Sequence, residues 1–344
     1  MRQAPPADVE VTADLARALL LEQHPDLAGL RLAVVAHGWD NVVLRLGDDL
    51  AVRVPRRREA ARLVEHELQA LPVLAPRLPV AVPGGVRSGR PSDALGYPWV
   101  WAVVRWADGV DAARLERAAR APLAEPLAEV LAALHAPAPS DAPHNPYRGV
   151  PLSARDADVR SRLARLAAPG GYLSSSGLAL VPGSPGASPD ASADGVGTAP
   201  DVEALHARLT EIWDAGVAAP AYDGPPLWLH GDLHAANLVV AAAAPHQLAA
   251  VVDWGDVTAG DPATDLAVAW LVLDAAARRR FWERLDATGY PHADDGPTRT
   301  RARAWGLTMA TAMAEHATPG TGHHALATGA LAELLAVAPP PASL

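Results

Sequence analysis

The segment LWLHGDLHAANLVVAAAAPHQLAAVVDWGD, residues 227 to 256, restricts what this chain can fold into more than any other stretch. Leu238 to Val240 and Leu248 to Val252 are short β-prone runs joined by AAAAPHQ, which reads as two paired strands closed by a loop. Pairing them brings Asn237 and Asp253, which flank the runs, close together despite their separation in sequence. Two side-chain oxygens at such a strand pair can hold a hard cation, and magnesium favours this environment while taking phosphate oxygens as further ligands. Asp232 lies five positions before Asn237, in the turn that precedes the first strand. A carboxylate there can orient a hydroxyl, or take its proton, during attack on a phosphoryl group.

With 344 residues, 50% of them hydrophobic, the chain can bury a large core and is long enough for two lobes. After a helix from Thr12 to His24, three β-prone runs follow: Leu32 to Ala36, Asn41 to Leu46 and Leu50 to Val54. HGWDN and GDD separate them as turns between antiparallel strands. Pro55 ends the third run because it has no N–H to give to a ladder. A helix is predicted from Arg58 to Leu71, then an extended, proline-limited connection in PRLPVAVPGGV. A strand in YPWVWAVVRWADG comes next, ending in a turn near Asp108 and Gly109. Three strands, a helix and further strands predict a small antiparallel lobe in place of a repeating βαβ sheet. Trp99, Trp101 and Trp106 read as core or lobe-boundary aromatics on the last strand.

The remainder reads as helical: Pro122 to His135, Ala154 to Ala168, Asp201 to Ala215, Pro262 to Asp274, Ala275 to Leu285, Thr298 to Glu315 and His323 to Val337. Glycine, serine and proline dominate residues 170 to 200, a composition that predicts a flexible surface insertion. Asp261 is placed to cap the helix begun by Pro262, and Asp265 lies about one turn later, near the Asp232 loop.

A formal charge of -10 opposes tight wrapping of nucleic acid and suits a cationic or metal-bearing ligand. The chain has no cysteine, which excludes disulfides, thiolate metal sites and cysteine nucleophiles. MRQAPPADVEVTADLARALL lacks the apolar core of a signal peptide, and no uninterrupted apolar run reaches about 18 residues. A cytoplasmic protein without a membrane partner is the expectation. His230 and His234 flank Asp232, but a turn need not aim both imidazoles inward, so zinc is the weaker reading. His230 is expected to brace the loop by hydrogen bonds, and His234 to meet backbone or the neighbouring segment. No pattern fixes an oligomeric state.

HGDLHAANLVV followed by VVDWGD resembles the catalytic loop and metal-binding segment of the aminoglycoside phosphotransferase family, whose members share the protein-kinase-like fold. The resemblance continues, in order, through HGWDNVVLRLGDDLAVRVP, ARLVEHELQALPVLAPRLPVAVP, YPWVWAVVRWADG and GDPATDLAVAW, roughly from Leu30 to Trp270. It implies an α+β fold of two lobes: residues 1–106 binding nucleotide on an antiparallel sheet, and a helical lobe, 107–344, carrying catalysis and the acceptor. It further implies transfer of the γ-phosphoryl group of ATP, with GTP as the other nucleotide, to a hydroxyl of a small molecule in the presence of Mg2+.

Under this resemblance Asp232 is the base or orienting residue with His230 as its support, and Asn237 and Asp253 are the metal ligands. Arg53 stands where a strand lysine usually contacts the α- and β-phosphates, and its longer planar fork alters that geometry. Glu67 is the implied helix carboxylate that pairs with it; Glu65, on another side of the helix, is the rival. Gly38 and Asn41 belong to a nucleotide-facing turn, although HGWDN lacks the full glycine-rich pattern and taken alone reads equally well as a hairpin turn. Val103, Val104, Arg105 and Trp106 form the implied hinge for the nucleotide base. Trp254 and Gly255 follow Asp253 where protein kinases use phenylalanine and glycine, which points to a small-molecule acceptor. Asp256, just beyond, faces either the acceptor or an ordinary turn. An aminoglycoside-like compound leads among acceptors; a macrolide, another small metabolite, or a catalytically inactive nucleotide-binding protein are the alternatives.

Overall fold

Thr12 caps the first helix, its hydroxyl accepting from Leu15 N at 3.1 Å, and α1 runs Ala13–Gln23. The computed structural model describes residues 6–38, 40–180, 201–291 and 296–336. Strands β1 (Leu32–His37), β2 (Asn41–Leu46) and β3 (Leu50–Pro55) follow, then α2 (Arg58–Leu74), β4 (Gly85–Gly89) and β5 (Trp101–Arg105). The five strands form one antiparallel sheet in the order β1-β2-β3-β5-β4. Successive side chains alternate across it. Val42, Leu44, Leu46, Val52, Val54, Trp101 and Val103 face a core shared with Leu19 and Leu20 of α1. Ala51, Ala102 and Val104 face Val64 of α2.

Two details depart from expectation. Helix α2 continues past Leu71 with Pro72 inside it. Proline forfeits one hydrogen bond so near the end, while Leu71 and Leu74, each 1% exposed, anchor the last turn in the core. Strand β4 departs from the sequence reading, whose extended PRLPVAVPGGV connection takes in only its Gly85 and Val86, and GVRSG has little strand propensity of its own. The free edge of β5 supplies the ladder that its own residues would not specify.

The second part comprises β6 (Val110–Asp111), α3 (Ala124–Leu134), α4 (Asp156–Ala167), α5 (Tyr172–Ser175), α6 (Val202–Ala218), β7 (Leu227–Leu229), β8 (Leu238–Val240), β9 (Leu248–Val251), β10 (Thr258–Gly260), α7 (Ala263–Leu266), α8 (Val268–Leu271), α9 (Ala275–Ala287), α10 (Gly296–His316) and α11 (Gly322–Ala336). Helix α10 packs against α4, α6, α7 and α11, and its Ala302, Trp305, Leu307 and Ala310 are fully buried. A helix enclosed on so many sides is apolar around much of its circumference. No described helix is long and apolar enough to cross a membrane.

The single helix expected from Pro262 to Asp274 is two short helices, α7 and α8. Asp274 instead caps α9, accepting from Ala277 N at 2.8 Å. Arg117 explains the break after α8: its guanidinium takes the carbonyls of Trp270, Leu271 and Leu273, which a continuing helix would need.

The flexible insertion expected over residues 170 to 200 is corrected for its first part. Tyr172, Leu173 and Leu178 join the main core, Leu173 without any exposed surface. The Tyr172 hydroxyl bonds Thr328 Oγ1 at 2.6 Å. Three apolar side chains in a serine- and glycine-rich stretch suffice to fasten it. Residues 181–200 lie outside the described residues.

Candidate active site

Strands β7 and β10 pair antiparallel, Leu229 opposite Thr258, so the chain leaving β7 and the chain entering β10 run side by side. Strands β8 and β9 pair as expected, Leu238 opposite Val251, and Val252 N donates to Asn237 O at 3.0 Å. Two loops, 230–237 and 252–257, are thereby pressed together. At Gly231 (φ +84°) a Cβ would come 2.4 Å from Asp256 O. Only glycine fits both that backbone and that space.

The first loop is held from below by Asp265 of α7, which is fully buried and accepts from His230 N (2.7 Å) and Gly231 N (2.8 Å). His230 braces the loop as expected, also fully buried. Its Nε2–H donates to Val252 O at 3.0 Å, its Nδ1 accepts from Asp232 N at 3.2 Å, and its ring lies 4.5 Å from that of Trp254. Asn237 Nδ2 donates to Asp232 O at 2.8 Å, closing the loop on itself. Asp261 caps α7 through Ala263 N at 2.9 Å and pairs with Arg301 Nε at 2.7 Å.

These contacts set the Asp232 carboxylate between a guanidinium and an imidazole. Its Oδ1 lies 3.1 Å from Arg148 Nη2 and its Oδ2 lies 3.3 Å from His234 Nε2. Burial pushes this carboxyl up, but His234 and Arg148 outweigh burial and hold it well below the usual carboxylate range. Burial likewise opposes charge on His234, yet Asp232 lifts that imidazole above its ordinary value. His234 Nδ1 accepts from Ala236 N at 3.2 Å, which leaves its Nε2 to carry the proton toward Asp232. His234 therefore meets the carboxylate itself as well as the backbone expected of it.

Asp253 sits across the groove in a left-handed conformation (φ +61°, ψ +65°), with its side chain 56% exposed. Non-glycine residues rarely adopt this backbone. Its Oδ1 lies 3.0 Å from Arg53 Nη2, while Arg53 Nη1 bonds Glu67 Oε2. Glu67 is 3% exposed and Glu65 is exposed, so the structure pairs Arg53 with Glu67 and leaves its rival at the surface.

Around the turn after β1, Gly38 N donates to Asn41 O at 2.9 Å, and Arg57 pairs with Asp40. The Gly38 amide is therefore engaged within the hairpin. Asn41 is 8% exposed, and its Oδ1 has no hydrogen-bond partner. Of the four hinge residues, Val103 and Val104 are buried in the ladder, Arg105 is exposed, and Trp106 N donates to Asp49 O at 2.8 Å. The Trp106 ring carries the Arg45 guanidinium 4.1 Å from its centre.

Asn237 and Asp253 fit a hard cation by donor type. Because Asp232 O holds the Asn237 amide nitrogen, the amide oxygen is left to face a ligand. Among the described residues no cluster of three or more His, Asp or Glu side chains could hold a metal alone. Two protein oxygens match the sparse protein ligation of magnesium that also binds phosphate and water.

Sequence reasoning missed Arg148 and Asn145. Asn145 Nδ2 donates to Asp256 Oδ1 at 2.6 Å, so Asp256 is joined to the loop that precedes α4. Burial raises the Asp256 carboxyl, with Arg148 offsetting part of the rise and Asp232 adding to it. NPYRGV carries no spacing that would link position 148 to position 232.

A comparison with curated protein sequences finds no match. Among solved structures, the GDP complex of wild-type aminoglycoside 2'-phosphotransferase-IIIa aligns with a TM-score of 0.64 at 17% identity, over 94% of this chain and 99% of that one. The apoenzyme of macrolide 2'-phosphotransferase MphH from Brachybacterium faecium aligns with a TM-score of 0.52 at 22% identity, over 92% and 98%. Structural likeness at such low identity shows the bilobal fold alone. The profile of the phosphotransferase enzyme family matches residues 31–305, and the chain therefore belongs to that family of kinase-type enzymes.

Proposed function

We propose that this enzyme moves the γ-phosphoryl group of ATP, or of GTP, to a hydroxyl of a small molecule, and that residues 1–106 carry the nucleotide and the rest the acceptor. The observation that carries this reading is Asp232, its backbone N–H held by His230, its backbone carbonyl and carboxylate both met by the Asn237 amide, on a loop fastened beside the turn that presents Asp253.

Held well below the ordinary range, Asp232 remains ionised at neutral pH and is a weak base. Its chief work is to accept a hydrogen bond from the acceptor hydroxyl and aim its oxygen. It takes the proton as the new O–P bond forms, the bond from the γ-phosphorus to the β–γ bridging oxygen breaks, and the nucleoside diphosphate leaves. Arg53 places a positive charge where strand β3 meets the turn of Asp253, suited to phosphate oxygens. Asn237 and Asp253 would hold Mg2+, which supplies neutralisation of phosphate charge when bound. Gly38, Asn41 and the segment from Val103 to Trp106 would line the nucleotide.

An aminoglycoside-like acceptor comes first from family resemblance and net acidity. One observation, the pairing of Arg148 with Asp232, favours the second reading, a small metabolite of another kind. The test is a panel of hydroxylated small molecules incubated with Mg-ATP or Mg-GTP, with products followed by mass spectrometry. Phosphorylated product that is lost in Asp232→Asn by about a hundredfold or more in kcat, with nucleotide binding retained, is the expected outcome. Failure to bind either nucleotide, together with no transfer across the panel, would sink the reading. Nucleotide binding without turnover would favour a catalytically inactive binding protein.

A further inference from the structure

The loop that carries Arg148 is fastened on both sides of it. Thr258 Oγ1 donates to Pro143 O (2.9 Å) and accepts from Asn145 N (3.2 Å). Gly149 N donates to Thr264 Oγ1 (3.2 Å), and Gly149 O accepts from Asp261 N (3.1 Å). Gly149 has φ +67°, and its carbonyl lies so near Gly260 that a Cβ there would approach to 2.1 Å. Backbone anchored this firmly gives the guanidinium a defined position against Asp232 Oδ1.

Two further features mark the same place as a recognition surface. Arg148 Nε is buried without a hydrogen-bond partner, while the side chain as a whole is 21% exposed, so the guanidinium still presents an edge beside Asp232. Arg155, which bonds Asp158 Oδ2 at 2.6 Å and stacks 5.1 Å from the half-exposed ring of Tyr147, likewise has a buried Nε without a partner. Arg155 lies near enough to Arg148 for their charges to act on each other, so the guanidinium beside Asp232 does not stand alone. A like charge brought next to Arg148 is repelled by it more strongly in a partly desolvated groove than in water, and Asp232 and Asp256, which already stabilise the guanidinium, offset part of that repulsion.

We propose that Arg148 determines acceptor specificity, favouring molecules whose reacting hydroxyl is flanked by oxygen acceptors and rejecting those in which it is flanked by an ammonium group. The inference rests on the phosphotransferase reading above and deepens its second form, in which the acceptor is not an aminoglycoside. The flanking oxygen accepts a hydrogen bond from the exposed edge of the Arg148 guanidinium, while the hydroxyl itself is aimed by Asp232. A protonated amine in that position would face the guanidinium and could accept no hydrogen bond from it.

The experiment uses the full chain with Mg-ATP and matched acceptors that differ by one amino group: glucose and glucosamine, myo-inositol and an inosamine, glycerate and serine, with kanamycin as a polycationic arm. Product is measured by mass spectrometry, and hydrolysis of ATP without acceptor is followed in parallel. Wild type is expected to prefer the oxygen member of a pair by at least about tenfold in kcat/KM. In Arg148→Gln that preference should shrink to about threefold or less, chiefly through a lower KM for the amino member, whereas Arg148→Lys keeps the charge and most of the preference. A wild type that favours amino members or kanamycin, or a preference unchanged in Arg148→Gln, would overturn the inference. So would ATP hydrolysis with no transfer to any oxygen member, which leaves the broader reading standing. Absence of both hydrolysis and transfer would overturn the phosphotransferase reading and this inference with it.

Discussion

Arg53 touches Glu67 through one guanidinium nitrogen and Asp253, 3.0 Å away, through the other, so one charge joins strand β3, helix α2 and the turn after β9. Glu67 is 3% exposed, and burial pushes its carboxyl up despite the arginine beside it. Arg53→Ala would leave that carboxyl buried without a partner. The expected loss is about 3 to 5 kcal/mol of stability, read from urea unfolding. Arg53→Lys should cost less, about 1.5 to 3 kcal/mol, because an ammonium can replace one charged hydrogen bond but cannot fork to both carboxylates. Asp253 adds little to either figure, since its side chain is 56% exposed.

Asp265 offers a test of how the Asp232 loop is held. Its two oxygens each receive a backbone N–H, from His230 and Gly231. In Asp265→Asn one oxygen becomes an NH2 that faces a donor. Stability should fall by about 1.5 to 3 kcal/mol, and kcat should fall at least tenfold while the nucleotide KM changes little, because the loop and not the nucleotide lobe is disturbed. Unchanged kcat with an unchanged melting temperature would count against this support.

Leu173 tests the packing of the stretch that composition assigned to a flexible insertion. Leu173→Ala removes a side chain with no exposed surface and should cost about 2 to 5 kcal/mol, measured by chemical denaturation. A cost under about 0.5 kcal/mol would mean the segment behaves as surface.

Acid stability provides a fourth test. Burial would raise the Glu315 carboxyl, but Arg165, at 2.7 Å, and Arg162, at 3.3 Å, outweigh it and hold the group below its ordinary 4.5. A depressed folded value means the stabilisation is fully present above 4.5 and is lost as pH falls through the folded value. Wild type should therefore lose stability below pH 4.5 more steeply than Glu315→Gln, which lacks this titration. Parallel stability curves for the two proteins on acidification would contradict the assignment.

What was legible in the sequence followed from local pattern. The runs at Leu32, Asn41 and Leu50 became three paired strands because alternation and turn residues agreed. Leu238 to Val240 and the run from Leu248 paired because two apolar segments with a short connection had few alternatives. Bringing Asn237 beside the chain entering Asp253 followed from that pairing alone. What was not legible depended on distant partners. Strand β4 is made by the edge of β5, the end of α8 by Arg117, and the order of 170–180 by Tyr172, Leu173 and Leu178. Arg148 is the plainest case, because its meaning lies in a carboxylate 84 positions away.

The contact between Gly149 and Gly260 has an evolutionary corollary. Where two stretches of main chain touch with no side chain between them, replacing either glycine would wedge the strands apart. Arg148, one bond along from that seam, would be carried off its carboxylate by the same wedge. Selection acting on the acceptor could therefore retune this enzyme by two routes of very different reach. A change of the arginine itself alters which molecules are admitted, whereas a methyl group added at the seam shifts the whole entrance without altering a single charged residue.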